Sequence, residues 1–190
     1  MRLLEQKILT DGKVLNGDIL KVDNFLNHQM DITLLNLLAK EIYEHYKNCE
    51  INKILTVEAS GIGLACFVAQ FFNCKLLVAK KHKSLNISDD VYFSKVYSFT
   101  HKKENTIIAS KEYLHKGENV LIVDDFLANG NACVGLIDIV KQAGGNVKGI
   151  SCAVEKTYQG GYQKLVDMGI DVYSLARIKR MENGEIEFME

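Results

Sequence analysis

The sequence predicts an α/β fold, one domain over residues 1–190, built on a mostly parallel central sheet with helices on both faces. Three observations carry this reading. Short runs of branched apolar residues recur at 51–57, 75–79, 106–110, 120–123, 147–154 and 170–175, with the length and composition of buried strands. Segments with apolar residues at helical spacing separate most of these runs, and parallel neighbours need such crossovers. Gly, Asn and Asp stand at the junctions and supply the turns in a chain that has no proline.

Taken in order, residues 1–10 read as a short helix and Asp11-Gly12 as a turn. Residues 14–30 are too apolar to stay disordered and read as a cap on the core. Asp31 is an N-cap candidate: apolar residues follow at 32, 34, 35, 38, 39, 42, 43 and 46, a helical period to about 47. The strand at 51–57 leads into Glu58-Ala59-Ser60-Gly61-Ile62-Gly63 and a helix over 64–72. A Gly-x-Gly at such a corner fits tight helix-on-strand packing as well as phosphate contact. The strand at 75–79 ends in Lys80-Lys81-His82-Lys83, which by itself reads as a solvated edge. Residues 85–105 keep period two only in part and predict a hairpin with a mobile tip, with a separate strand at 106–110.

Val120-Leu121-Ile122-Val123 then predicts a strand stopped by Asp124-Asp125. Phe126-Leu127, the turn Ala128-Asn129-Gly130-Asn131-Ala132 and a helix over 134–143 follow, the helix ending at Gly144-Gly145. The strand at 147–154 carries Glu155-Lys156 at its end; a helix at 160–168, a last strand at 170–175 and an amphipathic tail at 181–190 complete the chain. In open parallel sheets ligands bind beyond the carboxyl ends of the strands, where the amides that open the next helix offer donors and a positive dipole end to an anion. Asp124 and Asp125 belong at that tip and residues 128–132 at the helix mouth. The bland reading is a pair of acids that cap a helix and a small-residue turn that closes a strand.

The full pattern of four apolar residues, Asp124-Asp125, two apolar residues and the turn 128–132 resembles the signature of the type I phosphoribosyltransferases, which bind 5-phosphoribosyl 1-diphosphate (PRPP). The resemblance implies that Asp124 and Asp125 are the catalytic pair against the ribose hydroxyls. It implies that Ala128, Asn129, Gly130, Asn131 and Ala132 hold the 5-phosphate, that Glu58, Ala59, Ser60 and Gly61 hold the pyrophosphate, and that Lys81 offers it a cation. Most members carry Thr where this chain has Ala128 and Ala132, so the load shifts to backbone amides, with Asn129 and Asn131 as side-chain donors. The family also implies a small hood over the sheet from about 1–30 and 156–190, a homodimer, and Mg2+ bound mainly through PRPP with no dedicated protein ligand.

Within the family, Asp-Asp-Phe-Leu-Ala-Asn-Gly-x-Ala together with residues 20–30 is similar to the bacterial members that use xanthine. That similarity implies base contacts from Leu20, Asn27 and Lys156 and a reaction that joins xanthine to PRPP, forming xanthosine 5'-monophosphate and pyrophosphate. Phe126 stands near this site, although an aromatic just past a strand is more often core than a stacking platform. Hypoxanthine or guanine as the base is one alternative, and a non-catalytic PRPP-sensing regulator of the same fold is another. The regulator needs a DNA-binding module, and the roughly 30 residues before the first core helix are neither basic nor long enough for one.

Composition narrows the setting. A hydrophobic fraction of 47%, a charged fraction of 25% and a formal net charge of -1 are those of a globular chain with no general attraction to nucleic acid or membrane. Five cysteines, at 49, 66, 74, 133 and 152, have no Cys-x-x-Cys spacing, which argues against a disulfide framework or zinc knuckle and for the cytoplasm. No apolar run approaches the roughly 20 residues of a membrane span. The five histidines lack metal-ligand spacing, and no nucleophile motif stands out, so covalent catalysis has no candidate.

Overall fold

The computed structural model describes residues 1–15, 19–81, 90–98, 103–182 and 184–189. The expected mobile tip at 86–90 falls outside these residues except for Asp90, as do His82 and Lys83 of the basic run.

Ten strands and five helices appear among the described residues, in the order α1 (Arg2–Asp11), β1 (Lys13–Leu15), β2 (Ile19–Lys21), α2 (Ile32–Tyr46), β3 (Lys53–Val57), α3 (Ile62–Phe71), β4 (Lys75–Ala79), β5 (Val91–Ser98), β6 (Lys103–Ser110), β7 (Asn119–Leu127), α4 (Asn131–Gln142), β8 (Asn146–Lys156), α5 (Gly161–Asp167), β9 (Val172–Glu182) and β10 (Glu185–Phe188). A six-stranded sheet runs β10-β9-β8-β7-β3-β4. All its pairings are parallel except β9 with β10. The fold is the predicted α/β class.

Strand alternation divides the core. Leu121 and Val123 of β7 belong to a cluster with α1, α2 and α3, while Val120 and Ile122 belong to a second cluster with α4 and the β5–β6 arms. α2 begins where expected, with the Asp31 carboxylate accepting from the Leu34 amide at 3.0 Å. Tyr46, fully buried near its end, donates to the carbonyl of Ile150 at 3.1 Å. Its ring lies where a side chain on Gly149 would stand, so the missing Cβ admits it.

Three expectations need correction. The acids at 124 and 125 do not stop the strand: β7 continues to Leu127, which pairs with Glu155 of β8. Continued ladder pairing on that side and side-chain partners for the carboxylates make the extension affordable, whereas composition alone reads two acids as an end. The strand at 106–110 is not separate from the hairpin but the far half of its second arm, β6, paired antiparallel with β5. The last strand runs on to Glu182, and the tail folds back on it as β10. Lys179 and Arg180 pair with Glu187 across this exposed ribbon, which explains why hydrophobic runs did not mark it.

The ladder shows where a cleft can form. β3 pairs with β7 only as far as Leu55 and Ile122, while β3 stays with β4 to Val57 and Ala79 and β7 stays with β8 to Leu127 and Glu155. The sheet parts between β3 and β7 at its carboxyl end.

Candidate active site

Four loops or strand ends meet at that parting. β3 leads into Glu58–Gly61, β4 into Lys80 and Lys81, β7 carries Asp124 and Asp125, and β8 ends at Lys156. The turn 128–132 lies between β7 and α4.

Asp125 is 5% exposed and tied on both sides. Its Oδ2 accepts from Asn27 Nδ2 at 2.7 Å and its Oδ1 from Ser60 Oγ at 2.9 Å. The N-terminal segment and the loop after β3 therefore converge on one carboxylate. Asp124 is 7% exposed, and its Oδ1 accepts the amide of Asp125 at 3.0 Å. Burial holds the Asp124 carboxyl well above the ordinary carboxylate range, and the charge of Asp125 adds to the shift. A Cβ on Gly61 would stand 2.7 Å from Asp124 Oδ1 and 2.7 Å from Thr56 Oγ1, so glycine is required for the loop to lie this close to the acid.

Glu58 organises the basic corner. Its Oε1 accepts the Lys81 amide at 2.6 Å and its Oε2 lies 3.4 Å from the Lys80 ammonium. The Lys81 amide, with Lys80 in support, draws the Glu58 carboxyl below its ordinary value. Lys80 is thus held by Glu58 within the loop, while the exposed Lys81 contributes a positive charge felt at Asp124. Ala59 and Ser60 are exposed and Gly61 is buried beside Asp124.

The turn after β7 is shaped for close approach. Gly130 caps α4 with φ 74°, a left-handed conformation that favours glycine. Asn129 Oδ1 accepts the Asn131 amide at 3.1 Å, and the Gly161 amide donates to the Ala128 carbonyl at 3.0 Å. Lys164 of α5, not singled out by the sequence, donates to the Asn129 carbonyl at 2.7 Å and to Asn131 Oδ1 at 2.9 Å. A lysine on a short helix reads as a solvated face, and 35 residues separate it from Asn129, so no local pattern marks it.

Of the residues expected at a base, Asn27 joins Asp125 directly, and Lys156 ends β8 opposite Ile178 of β9. Leu20 is buried in the core cluster with Phe25, Leu26 and Val154, against which the half-buried Phe126 also packs. Beside Lys156, the fully buried Glu155 is held by Arg177, with Oε2 at 3.1 Å from its Nε.

The cleft therefore presents two buried acids, a glycine-hinged amide turn and a basic corner, all at the carboxyl end of a parallel sheet. Comparison with known proteins places the chain in a family. Residues 21–178 match the phosphoribosyl transferase domain family. A xanthine phosphoribosyltransferase of Ruminiclostridium cellulolyticum is 53% identical over 100% of this chain and 100% of its own length. One from Streptococcus uberis is 46% identical over 100% of this chain and 98% of its own. Among solved structures, an adenine phosphoribosyltransferase from Rhodothermus marinus superposes with TM-score 0.77 at 21% identity, covering 93% of this chain and 99% of the other. The Giardia lamblia APRTase complexed with 9-deazaadenine superposes with TM-score 0.78 at 21% identity over 92% and 97%; these two speak to the fold. The chain belongs to the phosphoribosyl transferase family and, within it, to the xanthine phosphoribosyltransferases.

Proposed function

We propose that this enzyme transfers the 5-phosphoribosyl group of PRPP to xanthine, forming xanthosine 5'-monophosphate and pyrophosphate for purine salvage in the cytoplasm. The observation that carries the site assignment is Asp125, whose two oxygens accept from Asn27 at 2.7 Å and Ser60 at 2.9 Å. One carboxylate so links the segment expected at the base to the loop expected at the pyrophosphate, which is where a ribose that exchanges one for the other must lie.

In the reaction the bond from C1 of the ribose to the pyrophosphate oxygen breaks, taking the electron pair to the pyrophosphate, and a ring nitrogen of the base, its N–H proton released to water, forms the new bond to C1. Positive charge develops on the ribose and negative charge on the leaving group. Acids fixed beneath the sugar and the Lys81 cation beside the pyrophosphate favour that separation without reorganising. The amides of 128–132 hold the 5-phosphate, and Glu58–Gly61 the diphosphate. Leu20 meets the base site from the core cluster it shares with Phe25 and Leu26.

Among the described residues no three His, Cys, Asp or Glu side chains converge as a metal cage. Glu58 is engaged by Lys80 and Lys81, and Asp125 by Asn27 and Ser60. This donor set fits an Mg2+ ion held mainly by the diphosphate of PRPP, which when bound supplies Lewis-acid assistance to its departure.

Lys156 brings an ammonium, with donors and no acceptor, and so favours the carbonyl oxygens of xanthine over the exocyclic amine of adenine. Steady-state assays with xanthine, hypoxanthine, guanine and adenine, run with PRPP and Mg2+ on the wild type and on Lys156→Ala, test both statements. Xanthine should give the highest kcat/KM. Lys156→Ala should raise the KM for xanthine by about 10–150-fold, the 1.5–3 kcal/mol of a charge-assisted hydrogen bond, with little change for PRPP. A preference for adenine would refute the substrate, and unchanged xanthine kinetics in the variant would refute Lys156.

A further inference from the structure

The turn 128–132 carries no hydroxyl side chain, yet a cation is fixed on it from outside. The Lys164 ammonium bonds the Asn129 carbonyl and Asn131 Oδ1, while the Gly161 amide bonds the Ala128 carbonyl. α5 is thus docked on the turn at two points, with a Cβ on Gly130 only 3.3 Å from the Gly161 carbonyl oxygen. Two carbonyl oxygens, the groups an incoming phosphate must avoid, are engaged by donors from α5. A positive charge stands beside the opening of α4, where the helix dipole already favours an anion.

We propose that Lys164 is a positioning residue for the 5-phosphate of PRPP, supplying from α5 the charge and loop order that hydroxyls would otherwise give. The proposal rests on the reading that residues 128–132 take the 5-phosphate. It concerns one end of the substrate: the pyrophosphate end is served by a different corner, at Glu58–Gly61 and Lys81.

Equilibrium binding of PRPP, ribose 5-phosphate and pyrophosphate, each with Mg2+, to wild type, Lys164→Met, Lys164→Arg and Gly130→Val separates the outcomes. Lys164→Met should weaken PRPP and ribose 5-phosphate about tenfold, the effect of a charge-assisted contact reduced by solvent exposure. It should leave pyrophosphate unchanged and raise the KM for PRPP with little fall in kcat. Lys164→Arg, which keeps the charge and donors, should recover most of the affinity. Wild-type binding of ribose 5-phosphate by Lys164→Met, or equal weakening of pyrophosphate, would overturn the role of Lys164. Unchanged ribose 5-phosphate affinity in Gly130→Val as well would overturn the reading of the turn, and the proposal with it.

Discussion

Burial raises the Asp124 carboxyl, so the folded chain keeps this proton over a pH range where the unfolded chain has released it. For such a group the contribution to stability is present at low pH and declines as pH rises from the ordinary carboxylate range through the raised folded value. At neutral pH Asp124 therefore opposes folding, the cost of burying two carboxyl groups side by side in the site. Asp124→Asn keeps an oxygen for the Asp125 amide and removes the charge. It should melt at higher temperature than wild type at pH 7, with the difference closing below about pH 4, while turnover falls sharply. Thermal melts at both pH values beside a PRPP assay check this; a variant that is less stable at pH 7 and fully active would refute it. The residue scale is also where the sequence was most and least informative. Asp31 announced its own cap and Asp124-Asp125 their cleft, because those signals are local. The bonds from Asn27 and Ser60 to Asp125 span 98 and 65 positions, and no spacing rule reaches that far.

Among elements, the seven-residue α5 couples directly to the site. α5 opens at Gly161, where a Cβ would collide with the Ala128 carbonyl and stand 2.7 Å from the Gly130 amide. Helix propensity alone would favour alanine there by about 1 kcal/mol. Packing decides the other way: Gly161→Ala should push the 128–132 turn out of place and cut PRPP affinity about tenfold or more, within the 1–3 kcal/mol typical of overpacking. Isothermal titration with PRPP reads the sign directly, and unchanged or tighter binding would show that the turn yields freely. Elements with one buried face or two were legible, as with β4 at 75–79 and the period of α2. Two extensions were not: β7 beyond Ile122, where paired acids read as an end although β8 still pairs, and β9 beyond Ile178, a charged ribbon with β10.

At the scale of the whole molecule, the resemblance to the phosphoribosyltransferases implies pairing, and we expect a homodimer. Light scattering should report twice the 21.4 kDa chain mass. A fully active monomer would contradict it.

Asp125 also has a bearing on time. Its two partners come from segments that must close loops of 98 and 65 residues, and Lys164 closes one of 35 onto Asn129. Closing them costs entropy that local helices such as α2 do not face, and distant closures slow a chain. Helical ellipticity should therefore return early on dilution from urea and PRPP binding later, the interval lengthening in Asn27→Ala and Ser60→Ala. Simultaneous recovery in all three proteins would mean that the carboxylate finds its place with the sheet; a lag means that catalysis begins only when the last distant strand of chain arrives at Asp125.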